Sequence, residues 1–253
     1  MLRIYRDTAV LAFQRAVRAW PAAFSLVIYA IILVGAQMLL SPLGFVGGLL
    51  MGLVAAACAS GYLHLLSRAV EGSPLRADNL KEGFGALFWD VISVGFALWI
   101  IGLVVTVLTA PAGANAEAFT AMFGLAMAFF LNPVPELIYQ RKTRSFELLL
   151  TSARFMLAHP VIWFLPSLLF VVILLLPTGA LQVEDPRLLL LRIADGLSPV
   201  GVLRALGTML SVAWWSLPLV LFFVHYAMVF RGLLFQALQT DNPRRRAWLA
   251  QNR

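Results

Sequence analysis

Four ionisable side chains and one amide interrupt otherwise apolar helical sequence: His64, Asp90, Asn132, Glu136 and His225. Burying such groups in hydrocarbon costs free energy, so inside membrane spans they are the first candidates for a functional site. Asp90 or Glu136 could act there as acid or base in an intramembrane lipid-processing enzyme. In the threading derived below, the four ionisable groups fall towards the cytoplasmic ends of spans two, three, four and six. They could therefore converge on a cavity open to the cytoplasm. Alternatively, near the interface they reach water or pair with Arg68, Arg141 or Arg231.

Asn132-Pro133-Val134-Pro135-Glu136 is the most specific of these features. Proline removes backbone donors and kinks a helix, and broken helices at membrane depth often line transport sites. Arg141 follows only five residues after Glu136, which favours a turn leaving the bilayer. No two candidates stand at metal-ligand spacing on one helix. Neither an H-E-x-x-H pattern nor a recognisable serine or cysteine nucleophile is present. No catalytic residue, metal or cofactor is thus expected. Without a G-x-x-x-x-G-K-[ST] loop, energy from nucleotide would have to come from another subunit.

What must position these residues is a bundle of membrane helices. The chain has 253 residues, 61% hydrophobic and 12% charged, far from the composition of a soluble domain. Its formal charge of +7 arises from 17 Arg and 2 Lys against 12 acids. These bases flank apolar runs, which points to topology and anionic lipid rather than to nucleic acid. Cys58 is the one cysteine and lies mid-span among alanines, a small apolar packer without a disulfide partner. No clear cleavage site follows the first apolar run, so it is expected to be a retained span.

Residues 2–18 predict a basic amphipathic helix lying in the membrane interface. Leu2, Tyr5, Ala9, Phe13, Ala16, Val17 and Trp20 fall on one side; Arg3, Arg6, Asp7, Gln14, Arg15 and Arg18 fall on the other. The alternative is a helix packed on a partner. Ala19–Ser67 then runs 49 residues with no Asp, Glu, Lys or Arg. As helix that is about 74 Å, more than twice the hydrocarbon thickness, so it must fold back. Ser41-Pro42-Leu43-Gly44 is the place. Spans are expected near 21–41, 45–67, 87–109, 118–138, 159–177 and 205–230. Short helices are expected at Ala77–Glu82, with Asp78 or Asn79 as N-cap, and at Pro186–Asp195. Residues 141–158 form a second basic juxtamembrane segment, and 231–253 a basic tail. In that tail Arg244, Arg245 and Arg246 stand beside Trp248, as suits the headgroup layer.

Threaded through six spans, 16 of the 19 Lys and Arg fall on the side of the N-terminus. That split predicts both termini in the cytoplasm of a bacterial inner membrane. The expected fold is all-α and integral to the membrane: six helices as three hairpins, with amphipathic juxtamembrane helices, in one domain over 1–253. Arg15–Pro21 aligns with Arg154–Pro160 at an offset of 139, as if a juxtamembrane helix plus hairpin were repeated three times. Gly44, Gly48, Gly52, Ala56 and Ser60 recur at four-residue steps. Such small side chains let helices approach closely, and the diagonal ridge is expected to be the central seam of the bundle.

Two stretches carry a family resemblance. They are Arg68–Pro74 leading to Asn79–Phe84, and Asn132–Leu137 leading to Leu148–Ser152. They resemble a broad group of bacterial six-helix inner-membrane proteins, including the membrane domain attached to some glycerophosphodiester phosphodiesterases. The resemblance implies a fold and a location, and transfers no functional residue. The expected role is non-enzymatic: assembling membrane complexes or organising lipid, with anionic lipids and other subunits as partners. Two rivals remain, a transporter or permease subunit of an ATP-driven exporter, and the lipid enzyme above.

Overall fold

The computed structural model describes residues 2–75, 77–140, 145–175 and 217–240. Ten α-helices lie in these segments. They are α1 (Leu2–Arg18), α2 (Trp20–Leu40), α3 (Gly44–Glu71), α4 (Ala77–Ala86) and α5 (Phe88–Thr109). Then come α6 (Ala116–Phe130), α7 (Val134–Gln140), α8 (Ser145–Ala158), α9 (Pro160–Leu175) and α10 (Leu217–Thr240). Among the described residues, four stretches are long and apolar enough to cross a membrane: Trp20–Glu71, Phe88–Thr109, Ala118–Gln140 and Leu217–Gln239. Glu147–Ala158 with Pro160–Ile173, bent by 98°, makes a fifth if taken as one.

Proline and glycine set the changes of direction. After the 3-10 turn Ser41–Leu43, Gly44 takes φ 55° and ψ −125°, open to glycine and strained for other residues. The Tyr29 hydroxyl lies against Gly61. In one straight helix these residues would be about 48 Å apart, so α3 folds back along α2. Ala110-Pro111-Ala112-Gly113 repeats the device between α5 and α6, with Gly113 at φ 54° and ψ −124°. Both turns place proline second and glycine fourth.

A different break joins each short helix to an apolar one. α1 meets α2 at Ala19, α4 meets α5 at Leu87, and α8 meets α9 at His159, a single residue each time. Pro21 and Pro160 stand in the first turn of α2 and α9, where a missing N–H has no helical partner to lose. The breaks at Ala19 and His159 both fall inside the stretches aligned at the 139-residue offset, one residue out of register.

Three expected boundaries move. α3 continues past residue 67 to Glu71 and closes on Gly72, at φ 78°. There the Gly72 N–H donates to the Ala69 carbonyl (3.1 Å) and the Ser73 N–H to the Arg68 carbonyl (3.0 Å), a Schellman close that carries Arg68 into the helix. α4 begins at Ala77, so Asp78 and Asn79 lie inside it rather than capping it. α10 runs on through Arg231 to Thr240, because Leu233, Leu234, Phe235 and Leu238 continue an apolar face and are buried. Arg231 is therefore not the first residue of a tail. Pro186–Asp195, the first part of the expected sixth span, and Arg244, Arg245, Arg246 and Trp248 lie outside the described residues.

Burial is concentrated at one end of the bundle. Leu66, Val70, Leu137, Leu148, Met156, Trp163, Val229 and Phe235 form its core there. Towards the Ser41 and Pro111 turns, Met38, Leu39, Phe45, Val107 and Leu108 are exposed. α1 belongs to the buried end. It packs on α10 and α3 through Thr8, Ala12 and Ala16, while Val17 stays largely exposed and Phe13 meets Phe222 and Tyr226 of α10 edge-on, at 6.0 and 6.4 Å between ring centroids. The Tyr5 hydroxyl donates to the Ile162 carbonyl at 2.9 Å, and burial raises its pKa. The small residues of α1 are thus its most deeply buried ones, Ile4 and Tyr5 pack beside them, and Val10, Leu11 and Val17 are exposed.

Candidate functional site

The most elaborate polar arrangement grows from the break between α6 and α7. Leu131–Pro133 leave the helix, and α7 restarts at Val134 with Glu136 in its first turn, where the helix dipole favours a carboxylate. Glu136 is fully buried. Arg231 of α10 answers it twice: Nε donates to Oε1 at 2.8 Å and Nη2 to Oε2 at 3.1 Å. The same Nη2 also donates to the Asn132 carbonyl at 2.7 Å, satisfying an acceptor that the proline break sets free. The Asn132 side-chain oxygen accepts from Trp163 Nε1 at 2.9 Å. Trp163, wholly buried on α9, lies 5.1 Å beneath the guanidinium, a cation–π contact. One tie thus joins the Leu131–Pro133 turn, α7, α9 and α10.

Chemically the tie is closed. Both carboxylate oxygens are held by one guanidinium, and only 13% of the Arg231 side chain is exposed. Such a pair costs desolvation and contributes chiefly by fixing geometry; losing one partner strands a buried charge. Beside it, Gln140 Nε2 donates to the Gly232 carbonyl at 2.9 Å. The Tyr139 hydroxyl and Val70 Cγ2 close over Gly232, leaving no room there for a Cβ.

The other candidates do not share this tie. His225 is fully buried six residues earlier on α10, its ring edge-on to Tyr62 of α3 at 6.5 Å between centroids. His64 faces Gly83 of α4 across the α3–α4 contact. Asp90 sits half-exposed in the first turn of α5, and among the described residues no side chain pairs with its carboxylate. Among the described residues the five do not form one cavity. Asn132 and Glu136 meet, and His225, His64 and Asp90 stand apart from their tie. Among the described residues no three His, Cys, Asp or Glu gather as a metal site.

The expected seam also shifts. Gly44, Gly48 and Gly52 are exposed, and no described atom lies within 4 Å of a Cβ placed on them. Ala56 and Ser60 are buried. The Ser60 hydroxyl donates to the Gly83 carbonyl at 2.8 Å and accepts from the Leu87 N–H at 3.0 Å, pinning the α4–α5 joint. The glycines of α3 in close contact lie off the strip: Gly47 against the Leu40 carbonyl, and Gly61 between Tyr29 and Gly83. A four-residue step marks a face without saying which part of it meets a neighbour.

Of the expected headgroup residues, Arg3, Arg6 and Arg18 are exposed and Arg15 is half-buried beside Gly72. Trp163, Tyr62, Tyr139 and Gln140 carry no signal in the sequence beyond being polar-tipped residues in apolar helices. Arg231 does carry one, as a lone charge followed by Leu233-Leu234-Phe235. No protein-family model, curated protein or solved structure matches this chain.

Proposed function

We propose that this is a six-span protein of the bacterial inner membrane, with both termini in the cytoplasm. It acts without catalysis, assembling membrane complexes or organising anionic lipid. Six spans follow if Trp20–Glu71 is divided at its fold-back and the bent α8–α9 pair crosses once. The Ser41 and Pro111 turns pair four of them into two hairpins, and the last two spans are read as the third. The bias of Lys and Arg towards one side supports the orientation.

The observation that carries the functional reading is the tie at Glu136. The best-placed intramembrane carboxylate has both oxygens committed to Arg231, so it serves to hold helices and not to move protons. What the molecule presents outward is apolar surface edged with arginine. α1 carries exposed Phe13 and Val17 together with exposed Arg3, Arg6 and Arg18, and exposed Trp20 opens α2, a composition suited to anionic headgroups. Solubilisation in a mild amphiphile, followed by mass spectrometry of retained lipids and proteins, tests the reading. Anionic lipid or a stoichiometric membrane partner is expected to stay bound; a chain that retains neither counts against it.

The interrupted α6–α7 helix favours a second reading, the permease subunit of an ATP-driven exporter. Co-purification with an ATPase whose activity depends on residues 77–84 would select it; an ATPase-free complex would remove it. A lipid enzyme would now have to rest on Asp90. Full function of Asp90→Asn would eliminate it.

A further inference from the structure

We propose that α1 has three distinct sides, set against protein, acyl chains and headgroups, and that it holds lipid phosphate through Arg3 and Arg18. This rests on the anionic-lipid reading above and assigns it to residues. Two contacts fix the roll of α1. Phe13 meets Phe222 and Tyr226 of α10 edge-on, at 6.0 and 6.4 Å between ring centroids. The Arg15 guanidinium lies beside Gly72, its Nε 3.6 Å from a Cβ placed there. Residues two apart point about 160° from one another in an α-helix, so these contacts mark opposite sides of α1. They also point opposite ways along the bundle. α3 and α10 run in the same direction, since Tyr62 meets His225 and, further along both helices, Val70 lies against Gly232. Phe222 and Tyr226 lie back along that direction, within the apolar stretch Leu217–Gln239, whereas Gly72 closes the end of α3. One side of α1 thus faces the apolar length of the spans and the other their polar end.

At about 100° per residue the other side chains sort onto these sides. Thr8, Ala12 and Ala16 are buried against the bundle, with Tyr5 bonded to α9 beside them. Val10 and Val17 fall nearest Phe13, and all three are exposed. Arg18 and Leu11 fall on the Arg15 side, and Arg3, Asp7 and Gln14 face outward between the two edges. Arg6 starts among the apolar residues, but its Nε and Nη2 reach Asp7 Oδ1 at 3.3 Å, drawing its charge into the outward band. Four arginines therefore meet one acid on the sides away from Phe13. Trp20, exposed at the first residue of α2, is the amphipathic ring expected at a membrane boundary. The apolar edge beside the basic one selects the partner. An anionic phospholipid matches both with one molecule, its acyl chains along Phe13 and Val17 and its phosphate at Arg3 and Arg18, whereas a free phosphate or an acidic protein would leave the apolar edge unmatched.

The test uses the full chain in lipid nanodiscs. In a Cys58→Ala background, nitroxides are attached at Val17→Cys or Leu11→Cys, both apolar and exposed but on different sides. The first label is expected to be relaxed mainly by oxygen, from the hydrocarbon, and the second mainly by a water-soluble nickel chelate. Equal depths, or the reverse order, would overturn the assignment of sides. Headgroup preference is read from spin-labelled phosphatidylglycerol against spin-labelled phosphatidylcholine, as the fraction of each immobilised by the protein. The unaltered chain is expected to favour phosphatidylglycerol. Arg3→Gln with Arg18→Gln should reduce that preference severalfold, since one arginine near an anionic surface is worth about a fivefold change in affinity. A preference that survives the double substitution would overturn the phosphate site while leaving the anionic-lipid reading in place. An unaltered chain with no preference would overturn that reading and the site together.

Discussion

The Glu136–Arg231 pair concentrates the risk in this protein, since each charge is tolerable only while the other is present. Glu136→Gln alone leaves a guanidinium facing a neutral amide, and should cost about 3–5 kcal/mol of stability. Glu136→Gln with Arg231→Met should cost well under the sum of the single changes, because no charge is stranded. Denaturation of the four proteins in one detergent measures the coupling; additive losses would mean the pair acts independently. Ser60 is a neutral counterpart, holding both the Gly83 carbonyl and the Leu87 N–H. Ser60→Ala leaves both unpaired and should lower stability by about 1–3 kcal/mol, read as a shift of the thermal midpoint. Asn132, Glu136 and His225 were legible as polar intruders in apolar helices. Their partners were not, because 95 positions separate Glu136 from Arg231 and no local period relates them.

Among the helices, the turns were easier to read than the contacts. Ser41-Pro42-Leu43-Gly44 and Pro111-Ala112-Gly113 announced themselves because proline and glycine act on their own backbone. The packing of α3 was harder. Its exposed Gly48 and Gly52 satisfy the same four-residue rule as its buried Ala56 and Ser60. Gly61→Leu should therefore disturb the α2–α3 fold-back, at about 1–3 kcal/mol for overpacking. Gly48→Leu and Gly52→Leu should leave the stability of the purified chain within about 0.5 kcal/mol of its starting value, as surface substitutions do. Equal losses at Gly48 and Gly61 would restore the whole strip as a seam. The same distinction governs α1, where Ala12 and Ala16 are fully buried, whereas the larger Phe13 meets α10 only at its ring edge and Val17 stays exposed. Hydrophobic size marks a face that avoids water; it does not say whether protein or lipid covers it.

At the scale of the whole molecule, the proposed threading puts Ser73 and the Pro111 turn on opposite sides of the membrane. Cysteines at Ser73 and Ala110 in a Cys58→Ala background should react with an impermeant maleimide from opposite faces of sealed vesicles. Ala110 serves better than Gly113, whose φ of 54° would strain a new side chain. Labelling of both from one face would overturn the six-span arrangement. Composition and local chemistry were enough, by themselves, to specify an all-helical chain with several apolar stretches able to cross a bilayer. They also specified where it turns and which side chains are out of place in lipid. Only the tertiary structure decided that Arg231 belongs to Glu136 and the Asn132 carbonyl, that Gly61 rather than Gly52 lies in close contact, and that α1 packs by its small residues. The reason is physical. Periodicity, caps and turns are properties of neighbouring residues, whereas each of these pairings depends on segments that the turns first have to bring together.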